Sequence, residues 1–102
     1  MTEDLATKYR ARLSNVIKTF GDIFGYEIEV KEDKIVLRSL YAFDEEDKIV
    51  LTMKENGGIL VEANEFLRKL QKERILYLDK GRSLGAFLSA VTLSLFEKNT
   101  FQ

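Results

Sequence analysis

The sequence predicts an α+β fold: one long helix, a four-stranded antiparallel sheet, then two further helices gathered on one face of that sheet. Three observations carry this. Ala6, Tyr9, Leu13, Val16, Phe20 and Ile23 recur at alternating steps of three and four, the spacing of one helix face. Tyr26-Glu27-Ile28-Glu29-Val30-Lys31 alternates apolar and charged residues without a break, the period of a strand with one wet side. No side chain is charged from Ser83 to Phe96, in a chain that is 32% charged, so the last helix should be covered on more than one side.

The first helix spans residues 3–24. Its a/d seam of about three heptads suits either a coiled coil or a helix packed on its own domain. Leu5, Ile17 and Phe24 widen the stripe on one flank. The first half has the narrower stripe and reads as a stem; the second half reads as core. Gly25 ends the helix, because it tolerates positive φ. After the first strand, Glu32-Asp33 makes a tight turn. Lys34 to Tyr41 and Lys48 to Lys54 read as the next two strands, separated by an acidic turn from Phe43 to Asp47. Asn56-Gly57 signals a hairpin with positive φ at both central residues, and Gly58 to Glu62 follows as the fourth strand. Four strands joined by short turns make a meander. Asn64 caps a helix over residues 65–79, with Phe66, Leu67, Leu70, Tyr77 and Leu78 on its buried side. Gly81 breaks it. Ser83 caps the last helix, which carries Leu84, Phe87, Leu88, Val91 and Leu95 on one face and Ala86, Ala90 and Leu93 on another.

Composition excludes much chemistry. The chain has 102 residues, no Cys, no His and no Pro. Thiol nucleophiles, Cys- or His-based metal sites and Ser-His-Asp arrangements are therefore ruled out, and the absence of Cys fits a reducing compartment. The seven Ser and Thr between Ser39 and Thr100 have no His base, so no enzyme, cofactor or metal is expected. A net charge of −1 gives no electrostatic footprint for nucleic acid or an anionic membrane. The N-terminus lacks the apolar run of a signal peptide, and the uncharged run falls short of the ~20 residues that span a bilayer. Asp44-Glu45-Glu46-Asp47 reads as a solvated turn, since it lacks the Gly-centred loop and distal Glu of calcium sites. Gly57-Gly58 is not a phosphate loop, because no Lys-Ser/Thr and no helix follow it directly. Two basic groups remain: Lys8, Arg10 and Arg12 on the first helix, and Arg68, Lys69, Lys72 and Arg74 on the second. Each is either a solvated helix face or a grip for a phosphorylated or acidic peptide.

Three blocks of sequence carry a resemblance. Ala86 to Phe101 (AFLSAVTLSLFEKNTF), Gly25 to Val30 (GYEIEV) and Leu37 to Leu51 (LRSLYAFDEEDKIVL) resemble, in order and spacing, the C-terminal domain of the mitotic arrest deficient-like protein one family. Members of that family are coiled-coil scaffolds of the spindle assembly checkpoint. The resemblance implies a homodimer with two parts: residues 1–24 as a coiled-coil stem running into the head, and residues 25–102 as an RWD-like head. The stem seam would be Ala6, Tyr9, Leu13, Val16 and Phe20. It further implies a nuclear protein, at the kinetochore in mitosis and at the nuclear envelope in interphase.

The implied partners are a phosphorylated segment of the checkpoint kinase, a HORMA-domain checkpoint protein, and the anaphase activator of the checkpoint complex. The family's Arg-Leu-Lys kinase-docking motif falls at Asp4-Leu5-Ala6, where only Leu5 fits. Three alternatives stay open: these first residues are not family sequence, Lys8, Arg10 and Arg12 serve instead, or the contact is missing. Thr100 matches a threonine that the family carries just beyond its last helix and that a checkpoint kinase phosphorylates. Glu97, three residues upstream, suits an acid-directed kinase. The rival reading keeps the RWD-like fold that the resemblance implies but makes the chain an interaction module of another kinetochore or ubiquitin-pathway protein.

Overall fold

The computed structural model describes residues 2–100. The order is α1 (Thr2–Phe24), β1 (Tyr26–Val30), β2 (Lys34–Ser39), β3 (Ile49–Met53), β4 (Ile59–Val61), α2 (Glu65–Lys69), α3 (Gln71–Glu73, continuing as a π-helical stretch Arg74–Lys80) and α4 (Leu84–Thr100). The strands form one antiparallel sheet in the order β1-β2-β3-β4, the expected meander.

Register fixes the two faces. Tyr26 pairs with Ser39, Ile28 with Leu37 and Val30 with Ile35, and Ile35 and Leu37 pair with Leu51 and Ile49. Because side chains alternate along a strand, these residues share one face. That face meets α2, α3 and α4 in a core of Tyr26, Leu37, Ile49, Leu51, Phe66, Leu67, Leu70, Phe87, Val91 and Leu95. Glu27, Lys34, Arg38, Thr52 and Glu62 lie on the opposite face, where Lys34 Nζ sits 2.7 Å from Glu62 Oε1 and Arg38 3.9 Å from Glu27. The helices after the sheet therefore lie on one side of it, as the alternation predicts, while α1 meets its β1 edge.

The predicted caps hold. Gly25 takes φ +79° and its N–H donates to Gly21 O at 2.8 Å, closing α1 in the left-handed manner. Asn64 Oδ1 accepts from Leu67 N–H at 2.9 Å while its Nδ2 donates to Lys48 O at 2.8 Å. One side chain thus starts α2 and ties it to the sheet. Ser83 Oγ accepts from Ala86 N–H at 3.1 Å and starts α4.

Five details differ from expectation. The β3–β4 hairpin is wider than a two-residue turn: Lys54 and Gly58 close it, Gly57 N–H donates to Lys54 O at 3.0 Å, and only Gly57 has positive φ. A turn followed by one left-handed residue is the three-residue alternative. The single helix over 65–79 is broken at Leu70, whose φ −107° and ψ +30° leave the helical region. The chain rewinds with wider bonding, Gly81 N–H donating to Leu76 O at 3.0 Å. This register shift half-buries both Tyr77 and Leu78 and leaves Leu76 exposed. The second half of α1 does not form core: only Ile17 and Gly21 turn inward, whereas Val16, Phe20, Ile23 and Phe24 stay exposed. The second face of α4 is covered only in part within one chain, with Ala86 and Ala90 half-buried and Leu93 60% exposed. Finally, α4 runs through Thr100 instead of ending before it.

Candidate protein-interaction surface

Helix α1 meets the rest of the molecule at β1. Gly21 makes the approach possible, because a Cβ there would lie 2.3 Å from the Tyr26 carbonyl oxygen. With Gly21 and Ile17 facing inward, the apolar stripe lies about a quarter-turn around the helix from that contact. Ala6, Tyr9, Leu13, Val16 and Phe20 are all exposed on it, together with Ile23. Phe20 and Phe24 stack with ring centroids 6.3 Å apart. An apolar stripe of this length on one helix exceeds the scattered exposed leucines of an ordinary surface.

The stripe continues into a groove. Ile23 and Phe24 from the end of α1, and Leu88, Ser89, Thr92 and Leu93 from α4, enclose about 690 Å³ over Tyr26. Tyr26 OH donates to Leu88 O at 2.6 Å, and Thr92 Oγ1 donates to Tyr26 OH at 3.3 Å. Burial pushes the Tyr26 phenol above its usual value of 10.0, an effect the Thr92 hydrogen bond partly offsets. These bonds tie the start of β1 to the middle of α4 across the groove floor. The sequence puts Leu93 on a second face of α4, to be covered by another helix or by a partner subunit. The structure leaves it open beside Ile23, which only the tertiary approach of α1 and α4 could reveal.

The first basic group is divided. At 3.6 residues per turn, Lys8 and Arg12 share one flank of the seam and Arg10 lies on the other. All three are exposed, and none is ion-paired among the described residues. In the second group, Arg68 pairs with Glu65 and Arg74 Nη1 lies 3.2 Å from Asp79. The acidic turn is less solvated than expected. Asp47 is buried, with its Oδ2 accepting from Asp44 N–H at 3.3 Å. Arg38 donates to the carbonyls of Asp44 and Ala42, so the loop is cross-braced. The described residues contain no group of three or more acidic residues placed to hold a metal ion. None of their helices is long and apolar enough to cross a membrane. The backbone of Thr100 closes α4, and its side chain lies outside the described residues.

A model of the family described as "Mitotic checkpoint protein" matches residues 19–100. The chain belongs to the mitotic checkpoint protein family. A search of curated proteins returns no match. The family match takes in the whole sheet and α2 to α4, and it contains all three blocks of the resemblance up to Thr100. It begins inside α1. Phe20, Ile23 and the groove therefore fall within family sequence, whereas Ala6, Lys8, Tyr9, Arg10, Arg12, Leu13 and Val16 precede it. Membership makes this a mitotic checkpoint protein, whose expected partners are proteins of checkpoint signalling.

Proposed function

We propose that this chain is a non-catalytic, homodimeric protein-interaction domain of a spindle assembly checkpoint scaffold. Residues 1–24 form the stem and residues 25–102 an RWD-like head. The domain helps to place the scaffold at kinetochores and to assemble the checkpoint complex with a HORMA-domain protein and the anaphase activator. One observation carries the dimer: an apolar stripe from Ala6 to Ile23 that a single copy leaves open and that repeats at coiled-coil spacing. Two copies laid side by side would cover it and bring the basic flanks of Lys8, Arg10 and Arg12 around a common stem. A phosphorylated checkpoint-kinase segment would dock there through charge-assisted bonds to its phosphate oxygens. Thr100, at the end of α4, is the proposed phosphorylation site, where added charge would recruit a basic segment.

Sedimentation and light scattering test the stem. The expected mass is twice the 11.8 kDa of the chain, falling to one chain in Leu13→Asp; a native chain that is monomeric at micromolar concentration removes the stem. A fluorescence titration with the kinase segment tests docking. Binding should require the phosphate and be lost when Arg10 and Arg12 are reversed in charge. For Thr100→Ala, the fold and dimer should persist while checkpoint-complex assembly slows, and unchanged assembly rates would remove that site.

A further inference from the structure

Strand β4 is an edge strand by its position in the sheet. Lys54 N–H donates to Gly58 O at 2.8 Å and Glu62 N–H to Val50 O at 2.9 Å. Hydrogen bonding alternates along an antiparallel strand, so Gly58, Leu60 and Glu62 face β3. The N–H and C=O of Ile59 and Val61 point outward. Natural edges are usually blunted by lysine, proline or a covering element. Residues 58–61 carry no charge and no proline, and Ile59 and Leu60 are 53% and 50% exposed. The opposite edge differs: β1 carries Glu27 and Glu29, and α1 lies against the Tyr26 carbonyl.

Beside this open edge runs a groove of about 610 Å³ between β4 and the α2–α3 segment. Val61, Leu67 and Leu78 supply apolar lining, and Arg68 and Arg74 line it as well. Both arginines already hold carboxylates, from Glu65 and Asp79, in exposed pairs of small net value. An incoming acid can therefore take over either one. Between Glu65 and Arg82 basic residues outnumber acidic ones two to one, in a chain whose net charge is −1.

We propose that β4 and this groove receive an extended, carboxylate-rich segment of a partner protein as a fifth antiparallel or parallel strand. Backbone pairing to Ile59 and Val61 would hold the segment. Its alternate apolar side chains would lie over Val61, Leu67 and Leu78, and its acidic ones would meet Arg68 and Arg74. This site is separate from the α1 seam and does not depend on dimer formation.

The test uses labelled peptides of about ten residues, long enough to cross β4, that alternate valine with glutamate. Matched peptides replace glutamate with lysine or with phosphothreonine, or carry N-methyl groups on alternate amides, in either phase. Anisotropy should report binding by the glutamate peptide. Lysine exchange and one phase of N-methylation should each weaken it by about tenfold or more. Ile59→Pro removes an outward N–H and leaves the β3 ladder intact, and should weaken binding similarly at unchanged circular dichroism. The amide resonances of Ile59 and Val61 should shift, in Leu13→Asp protein as in the native chain. Several results would overturn the proposal: equal binding by both N-methylated phases, equal binding by the lysine peptide, binding confined to phosphothreonine, or shifts centred on α1. Peptide-free protection of the Ile59 and Val61 amides that grows with protein concentration would assign the edge to a second copy instead.

Discussion

Gly21→Ala sets two effects of opposite sign against each other. Within a helix, alanine is favoured over glycine by about 1 kcal/mol. If α1 were an independent stem, the substitution would stabilise the protein by about that amount. In this structure, however, the new Cβ would lie 2.3 Å from the Tyr26 carbonyl oxygen, well inside the 3.0 Å that real Cβ atoms essentially never breach. The obstacle is backbone, so no side chain can swing aside, and α1 must lift from β1. Overpacking costs about 1–3 kcal/mol, and a backbone clash this close belongs at the upper end. The net expectation is a loss of about 2 kcal/mol, or a fall in Tm of roughly 10 °C for a domain of this size. Calorimetry at one fixed protomer concentration reads it, because dimer formation would make Tm concentration-dependent. Gly85→Ala is the control: its Cβ would come no closer than 4.0 Å to Ser83 Oγ, so Tm should hold or rise. A rise in Tm for Gly21→Ala would refute the close packing of α1 on β1 and the groove that depends on it.

Three further outcomes are expected. Phe87 is fully buried, so Phe87→Ala should cost about 3–5 kcal/mol in urea unfolding; a loss under about 1 kcal/mol would place α4 outside the core. Tyr26→Phe removes the donor to Leu88 O and should cost about 1 kcal/mol. Since the folded phenol titrates above 10.0, its stabilisation is complete below that value and fades as pH rises through the higher folded one. The alkaline limb of the native stability curve should therefore be steeper than that of Tyr26→Phe, and identical limbs would contradict the assignment. Hydrogen bonds from Lys34 and then Thr52 hold the Glu62 carboxyl below its usual 4.5. That contribution is present above 4.5 and lost as pH falls through the lower folded value, so Glu62→Gln should flatten the acid limb; an NMR titration placing Glu62 at or above 4.5 would contradict it.

The elements whose residues repeat with one period are legible in the sequence. Tyr26 to Val30 alternates strictly, and of its inward residues Tyr26 joins the core and Ile28 packs against it, while Val30 at the strand end stays exposed. Asn64 and Ser83 announce their helices because a side-chain oxygen three residues ahead of an N–H is a local interaction. The break at Leu70 and the π-helical stretch after it are not local. They bring Leu70, Tyr77 and Leu78 onto one core at the expense of a uniform helical period, and no 3.6-residue pattern foretells such a shift. Arg82 also takes φ +50°, a conformation more readily expected of the neighbouring Gly81. The candidate site divides in the same way. The stripe on α1 can be read directly from residue spacing. The groove between Phe24 and Leu93, and the open edge at Ile59 and Val61, exist only once α4 and α2 have taken their places.

The narrow footing of α1 also has a mechanical consequence. About 19 residues extend from Gly21 back to Thr2, so at about 1.5 Å per residue the helix is an arm of roughly 28 Å. A tilt of about 6° at the Gly21–Tyr26 pivot would carry its far end through about 3 Å, more than half a helical turn of axial rise. The Tyr26–Leu88 bond also ties the pivot to α4, so strain arriving along the arm would be delivered to the last helix as well as to the sheet. Tension or torsion applied along α1 would thus reach the α4 surface, with the sheet acting as the anvil behind it.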